Sequence, residues 1–275
     1  MESIIEKNMQ VRRKKQRLKS HVQLRTLLLG SILPIGLLII WEVAGRNAYL
    51  NPLLLSMPSD ILLEFIYLVQ HGHLLGHLQI STWRALSGFV LGGGLGLLAG
   101  IVVGFSYLSE KLLNPSIQML RMLPHLAIAP LFILWFGFGE TSKLLLIAKG
   151  SFFPLYVNTF LGLRSMDRKL FEVAHVLQFN KWHLLTKVII PSALPNIFLG
   201  LRLSLGIAWL GLVVAEMMGS TSGIGFLIND ARAMAMISTV FVGIIIFAAL
   251  GKISDSLILW IERKCLRWQQ NFKGG

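Results

Sequence analysis

The chain has few charged residues, and acidic ones are especially scarce. Only 14% of its 275 residues are charged, whereas soluble domains contain roughly 25%. Lys and Arg number 26 against 13 Asp and Glu, and 54% of the residues are hydrophobic. A soluble protein needs a more polar surface than this, so the composition predicts an integral membrane protein.

The sequence also lacks the motifs of common catalytic and metal sites. It has no G-x-x-x-x-G-K-[ST] phosphate loop, no G-x-S-x-G elbow and no H-E-x-x-H pair. His71, His73 and His77 are close in sequence, but spacing alone does not make ring nitrogens converge on a metal. The single cysteine, Cys265, excludes an intramolecular disulfide. We therefore predict no catalytic residue, no metal site and no bound cofactor.

Basic residues lie between apolar blocks rather than on one face of a folded domain. Residues 1–26 carry eight Lys and Arg, and an apolar run follows them. A cleaved signal peptide is the alternative, but its apolar core would span only about 7–15 residues and precede a small-residue cleavage site. The positive-inside rule instead predicts a cytoplasmic N-terminal segment before a membrane anchor, and nucleic acid is not an expected partner.

Six stretches are apolar and long enough to cross a bilayer core of about 30 Å. With the first end inside, the cytoplasmic segments hold 19 of the 26 Lys and Arg when Arg121 at a span entrance is counted with them. Trp41, Trp83 and Trp135 then lie at outer span ends, where indole rings favour the interface. This predicts an all-α, multi-pass protein of the cell membrane, surrounded by membrane lipid, with both termini cytoplasmic. The predicted spans cover residues 27–45, 85–107, 117–136, 144–163, 194–215 and 236–259.

The second predicted span carries glycine at every fourth position. Residues four apart share one face of a helix, so these glycines form a stripe against which another helix can pack closely. The stripe consists of Gly88, Gly92, Gly96, Gly100 and Gly104.

The longest predicted cytoplasmic connection, residues 164–193, has the pattern of two short amphipathic helices. Residues 178–181 are predicted to form the turn between them. Pro191 and Pro195 are expected to stop the second helix before the next span. Such a segment is either a connector on the membrane surface or a docking site for a soluble partner. The apolar positions are Leu170, Val173, Ala174 and Leu177 in the first helix, and Trp182, Leu185 and Ile189 in the second.

Within this connection, Glu172-Val173-Ala174, Leu177 and the run IIPSALP at 189–195 resemble the EAA loop of ABC-transporter permeases. In that family a coupling helix of the loop sits in a groove of the ATPase subunit. Val173 and Gln178 stand where the family usually has alanine and glycine. The resemblance implies a coupling role for Glu172, Val173, Ala174, Leu177, Gln178, Ile189, Pro191 and Pro195.

The similarity covers residues 81–268 and is greatest for the aliphatic sulfonate, taurine and nitrate branch. WFGFG at 135–139 and SGIG at 222–225 match that branch. The resemblance implies a type I ABC importer permease fold. It divides the chain into the basic segment 1–26, a first helix with an outer connector (27–80), a type-1 permease domain (81–262) and a cytoplasmic tail (263–275).

The resemblance also implies the partners. Cytoplasmic ABC ATPase subunits would bind ATP, an extracytoplasmic binding protein would deliver the solute, and the permease would form a homodimer. The implied solute is an aliphatic sulfonate, with taurine, nitrate or a related small solute as the alternative. A stand-alone secondary transporter is a further alternative, although no inverted repeat or polar relay is visible.

Charged side chains inside spans are costly and usually face a bundle interior or a cavity. Lys149, Arg202 and Glu216 are therefore candidate residues of the translocation pathway, and the two cations would suit an anionic sulfonate. The alternative is structural pairing, for example of Arg202 with Asp255 or of Glu216 with Lys252.

Overall fold

The computed structural model describes residues 30–52, 54–166 and 168–270, and this part of the chain is helical with no β-strand. The basic N-terminal segment predicted at 1–26 lies outside the described residues. The chain divides into two compact units, with the boundary between Glu64 and Phe65. The first unit contains helix α1 (residues 30–46) and the start of α2 (Pro58–Gln70), where the N–H of Ser59 donates to Glu42 at 3.1 Å.

The second unit contains the remaining helices, and its long helices are joined by short ones. They are α3 (His73–Phe105), α4 (Tyr107–Arg121), α5 (His125–Phe136), α6 (Glu140–Arg164), α7 (Arg168–Val176), α8 (Lys181–Leu184) with a π-helical turn (Leu185–Ile189), α9 (Ile190–Gly219), α10 (Ile224–Ala233), α11 (Ile237–Cys265) and α12 (Arg267–Gln270).

Four helices of the described chain are long and apolar enough to cross a membrane, namely α3, α6, α9 with the turns before it, and α11. Helices α4 and α5 qualify only as a pair, and they are bent by 95°. Helix α1 covers the described part of the first predicted span. The predicted all-α membrane bundle is therefore confirmed.

The prediction of one continuous span over 117–136 is wrong, because the chain breaks between α4 and α5. Pro124 precedes α5 with φ −57° and ψ 123°, outside the helical region. Proline donates no backbone hydrogen bond, and it disfavours helical geometry at the residue before it. These two effects end α4 near Met122 and let α5 leave in a new direction.

Helix α6 is the centre of the second unit and packs against α3 along the predicted glycine stripe. A Cβ atom at Gly92 would overlap the backbone of Ala148, and one at Gly96 would overlap the backbone of Phe152. The two helices are therefore in direct backbone contact. A Cβ at Gly88, Gly100 or Gly104 would instead overlap a side chain, that of Ile147, Thr159 or Leu163 respectively. The opposite face of α3 exposes residues suited to lipid, namely Leu91, Leu95, Leu98 and Val102.

Helix α9 packs closely against another side of α6. A Cβ at Gly200 would lie 3.3 Å from the Cα of Leu155, and the Ser204 hydroxyl donates to the carbonyl of Ser151. Helices α10 and α11 pack on α9 in turn. The core between these helices includes the buried residues Ala85, Ile147, Leu205, Ala208 and Leu212.

Gly92→Ala is expected to destabilise the bundle, because the added methyl group must displace the Ala148 backbone. Overpacking of this kind costs about 1–3 kcal/mol. Gly94→Ala is the matched control, since a Cβ at Gly94 meets nothing within 4 Å. Thermal unfolding of the detergent-solubilised protein measures both changes. Equal melting temperatures for the two variants would contradict direct contact between α3 and α6.

Candidate functional site

Helix α7, the turn after it, α8 and the π-helical turn form one segment, residues 168–189, which we call the coupling element. Gln178 closes α7 in the left-handed region, with φ 51°. The N–H of Phe179 donates to Ala174 and that of Gln178 to His175, both at 3.0 Å. This is the Schellman pattern, which normally uses glycine at the Gln178 position. The predicted turn therefore forms without glycine, at a conformational cost of about 1 kcal/mol.

The prolines after the coupling element do not stop the helix, so that prediction is wrong. The chain passes from α8 through the π-helical turn directly into α9, with Pro191 in the first turn of α9 and Pro195 inside it. Proline is tolerated in a first helical turn, and the wider π-helical turn before it gives its ring room. α8, the π-helical turn and α9 thus share one continuous helical backbone, whereas the turn at residues 177–180 separates α7 from them.

The apolar face predicted for α7 is largely exposed. Ala174 is buried, but Val173 is 55% and Leu177 58% exposed. Glu172 is also exposed. The element therefore presents apolar side chains around a carboxylate, which is a surface that a soluble partner can cover. A cleft of about 440 Å³ in it is lined by Glu172, Ala174, His175, Phe179 and Leu184.

The three predicted pathway residues lie in different surroundings. Lys149 lines a cavity of about 550 Å³ between the α4–α5 break, α6 and α9, and its Nζ donates to the carbonyl of Leu123 at 3.0 Å. Arg202 pairs with Asp255, Nε to Oδ1 2.9 Å, which is the structural pairing considered above. Neither Arg202 nor Glu216 lines this cavity.

Glu216 is 1% exposed and accepts hydrogen bonds from three residues. Arg84 Nη1 donates to it at 2.9 Å, the Ser81 hydroxyl at 2.8 Å and the N–H of Gly225 at 2.8 Å. Lys252 is exposed instead. The proposed pairing of Glu216 with Lys252 is therefore wrong, and the partner is an arginine on α3.

Arg84 is itself 3% exposed and bonded through its whole guanidinium group. Its Nε and Nη2 donate to the two oxygens of Glu140 at 2.7 and 2.6 Å, and Nη1 donates to the carbonyl of Ser222 at 2.7 Å. Lys143 Nζ donates to Glu140 at 2.9 Å. Two cations and two carboxylates from α3, α6 and α9 thus form one ionic cluster, which comprises Arg84, Glu140, Lys143 and Glu216.

The ionic cluster also holds the loop between α9 and α10. The N–H of Ile224 donates to the Ser81 hydroxyl at 2.8 Å, and that of Gly223 donates to His77 Nδ1 at 2.9 Å. Gly223 has φ 109°, and a Cβ there would overlap the Glu216 carboxylate. Only glycine fits both the backbone conformation and the space, which explains the SGIG run at this position.

Sequence reasoning identified Glu216 but missed Arg84, Glu140 and Lys143, which lie at the ends of the predicted spans. A hydropathy window excludes charged residues at its edges, so Arg84 fell just before the span at 85–107, and Glu140 and Lys143 fell just before the span at 144–163. The available signal was that Arg84, Glu140 and Glu216, which carry opposite charges, all lie at the predicted outer ends of their spans and could therefore pair.

Arg84→Met is expected to lower the free energy of unfolding strongly, because Glu216 would stay buried without its charge partner. Removing one partner of a buried pair costs about 3–5 kcal/mol. Arg46→Met is the matched control, since Arg46 is 69% exposed and pairs only with Glu42 on α1, and exposed pairs contribute little. Melting temperatures in detergent measure both, and a small shift for Arg84→Met would show that the cluster does not stabilise the fold.

Comparison with known proteins agrees with this architecture. The family described as binding-protein-dependent transport system inner membrane component matches residues 92–267. A putative aliphatic sulfonates transport permease protein of Bacillus subtilis (strain 168) is 57% identical over 246 residues, 89% of each chain. A protein of the same description from Escherichia coli (strain K12) is 45% identical over 86% of this chain and 90% of its own.

A taurine transport system permease protein of Escherichia coli (strain K12) is also similar, 31% identical over 84% of this chain and 86% of its own. The family match includes α6, the coupling element and Glu216. The chain therefore belongs to the family of inner membrane components of binding-protein-dependent transport systems.

Proposed function

We propose that this chain is the permease subunit of an ATP-driven importer and that its solute is an aliphatic sulfonate. It is a multi-pass membrane protein of a transport family. Two copies of it, two cytoplasmic ATPase subunits and an extracytoplasmic binding protein would complete the transporter, with both termini in the cytoplasm. ATP would be bound and hydrolysed by the partner subunits, and this chain would form the path.

The observation that carries the proposal is the helical continuity from α8 and the π-helical turn, the second half of the coupling element, into α9. The exposed surface around Glu172 offers a place for an ATPase subunit to bind. From there α9 runs for 30 residues, about 45 Å at 1.5 Å per residue. It passes the Lys149 cavity at Leu203 and Ile207 and reaches the ionic cluster at Glu216.

This geometry gives a route by which ATP hydrolysis can drive transport. A displacement of α8 and the π-helical turn by the ATPase would move the backbone of α9, since no loop separates them. The same helix borders the cavity, so its movement would change access to the cavity. Alternating access of this kind needs two arrangements of packed helices rather than catalysis by this chain.

We choose an aliphatic sulfonate over taurine as the solute because this chain is more similar in sequence to the aliphatic sulfonates permeases than to the taurine permease. The relatives described as aliphatic sulfonates permeases are 57% and 45% identical to this chain, and the taurine permease is 31% identical. Taurine, nitrate and other small solutes of the same branch are the alternative solutes.

The substrate is tested by uptake in a strain that lacks this chain and its relatives. Expression of the chain with its ATPase and binding protein is expected to restore growth on ethanesulfonate as sole sulfur source, and to restore uptake of the labelled compound. Growth on taurine without growth on ethanesulfonate would assign the substrate to the alternative. Failure of the purified chain to associate with any ATPase subunit would contradict the importer itself.

Glu172→Lys is expected to uncouple ATP hydrolysis from uptake while leaving membrane insertion intact, because it reverses the charge at the centre of the exposed coupling surface. Uptake and ATP hydrolysis are measured together in proteoliposomes with loaded binding protein. Lys111→Glu, a charge reversal at an exposed position on α4, is the control and should transport normally. If ATP hydrolysis and uptake stay coupled in Glu172→Lys, Glu172 does not contribute to docking of the ATPase.

A further inference from the structure

All the ionisable residues that line the cavity beside Lys149 are basic. Of the described residues that line it, Arg121, His125 and Lys149 are the ones that can carry charge, and none is acidic. They come from the end of α4, the start of α5 and the middle of α6. The break in the α4–α5 pair is what brings the first two beside the third. We call this the basic cavity.

The Lys149 and Arg121 side chains of the basic cavity have hydrogen-bond donors to spare. Lys149 uses one N–H on the carbonyl of Leu123, and an ammonium group has three. In the described part of the chain neither Lys149 nor Arg121 forms an ion pair with a carboxylate. This contrasts with Arg84 and Lys143, each of which pairs with a carboxylate in the ionic cluster. No carboxylate of the described residues therefore neutralises Lys149 or Arg121, and an anionic solute can do so.

His125 supplies a further unused polar group. Its Nε2 is shielded from solvent and has no hydrogen-bond partner among the described residues. The ring is held between α6 and α9, because a Cβ at Gly150 or at Gly211 would lie 2.9 Å from it. Shielded polar atoms without partners are rare and tend to mark functional sites. His125 also begins α5, whose N-terminus has no side-chain cap and favours negative charge.

Apart from Asn158, whose side-chain amide donates to the carbonyl of Pro154, the rest of the lining is apolar and comes from the α4–α5 break, α6 and α9. A volume of about 550 Å³ falls in the range of small-molecule sites. Small organic anions with a short aliphatic chain match both parts of this lining. The apolar wall is formed by Phe153, Pro154, Val157, Leu203 and Ile207.

We infer that the basic cavity binds the sulfonate head group of the transported solute, with Arg121 and Lys149 as its charge partners and His125 as a further basic residue of the lining. The inference rests on the proposed function for the identity of the solute. A sulfonate spreads one negative charge over three oxygens, so it can accept hydrogen bonds from two or three donors at once. The alkyl chain lies against the wall from α6 and α9. The permease then selects for a negative head group independently of the binding protein.

The test compares variants in the complete transporter, with permease, ATPase and binding protein reconstituted in proteoliposomes. The variants are Arg121→Gln, Lys149→Gln, the double variant and Lys149→Arg, with Lys111→Gln on α4 as the matched control outside the cavity. Two quantities are measured. One is the initial rate of ethanesulfonate uptake, and the other is the rise in melting temperature that ethanesulfonate gives the solubilised permease–ATPase complex without binding protein.

In the double variant the initial rate of ethanesulfonate uptake is expected to fall at least about tenfold, as for loss of a charge-assisted contact. Ethanesulfonate is expected to give this variant no rise in melting temperature. Lys149→Arg should keep most of both because it keeps the charge. The uncharged ethyl methyl sulfone should shift no variant. Arg121→Gln distinguishes a loss of binding from a loss of stability. The described structure gives Arg121 no ion pair, so the substitution removes no pair that stabilises the fold.

The outcomes also separate this inference from the proposed function. Normal uptake and an unchanged melting shift in the double variant would overturn the sulfonate subsite and leave the importer standing. A wild-type complex that imports no sulfonate, but whose melting temperature rises with ethanesulfonate only while Arg121 and Lys149 are present, would overturn the proposed function and support the subsite. A shift of equal size with ethyl methyl sulfone would overturn the charge recognition.

Discussion

Direct backbone contact between α3 and α6 is the constraint on which the other features depend. In a bilayer the lipid is as apolar as the helix surfaces, so helices associate through close packing and hydrogen bonds rather than through the hydrophobic effect. The glycine stripe lets α3 approach α6 at Ala148 and Phe152. At this separation Arg84 on α3 reaches Glu140 on α6 with both arms of its guanidinium group. A larger residue on the stripe would separate the helices and weaken that contact.

Helix α9 joins three features that lie far apart in the second unit. It begins at the coupling element, borders the basic cavity and ends at Glu216 in the ionic cluster. The basic cavity therefore lies beside α9, which starts at the exposed coupling element and is held near its other end by the buried charges of the ionic cluster. Displacement of the exposed end would therefore tilt or bend α9 about the ionic cluster rather than translate the whole helix.

Hydropathy and charge predicted most of the fold from the sequence, because span length and glycine spacing are local properties. The predicted spans 85–107, 144–163, 194–215 and 236–259 correspond to α3, α6, α9 and α11. The partner of Glu216 could not be predicted, since Arg84 is 132 residues away and pairing at that separation depends on the tertiary arrangement. The same holds for the basic cavity, which exists because the chain turns by 95° between α4 and α5. Pro191 was misjudged because a π-helical turn, which has no sequence signature here, accommodates it.

The ionic cluster has a consequence for how the protein responds to an energised membrane. Each elementary charge moved across the membrane potential gains or loses about 2.3 kcal/mol per 100 mV. The cluster contains Arg84 and Lys143 against Glu140 and Glu216, so its formal charges cancel. If the cluster moves as a unit during transport, the membrane voltage does almost no net electrical work on it. A rearrangement that carries the whole cluster is thereby insulated from changes in membrane voltage.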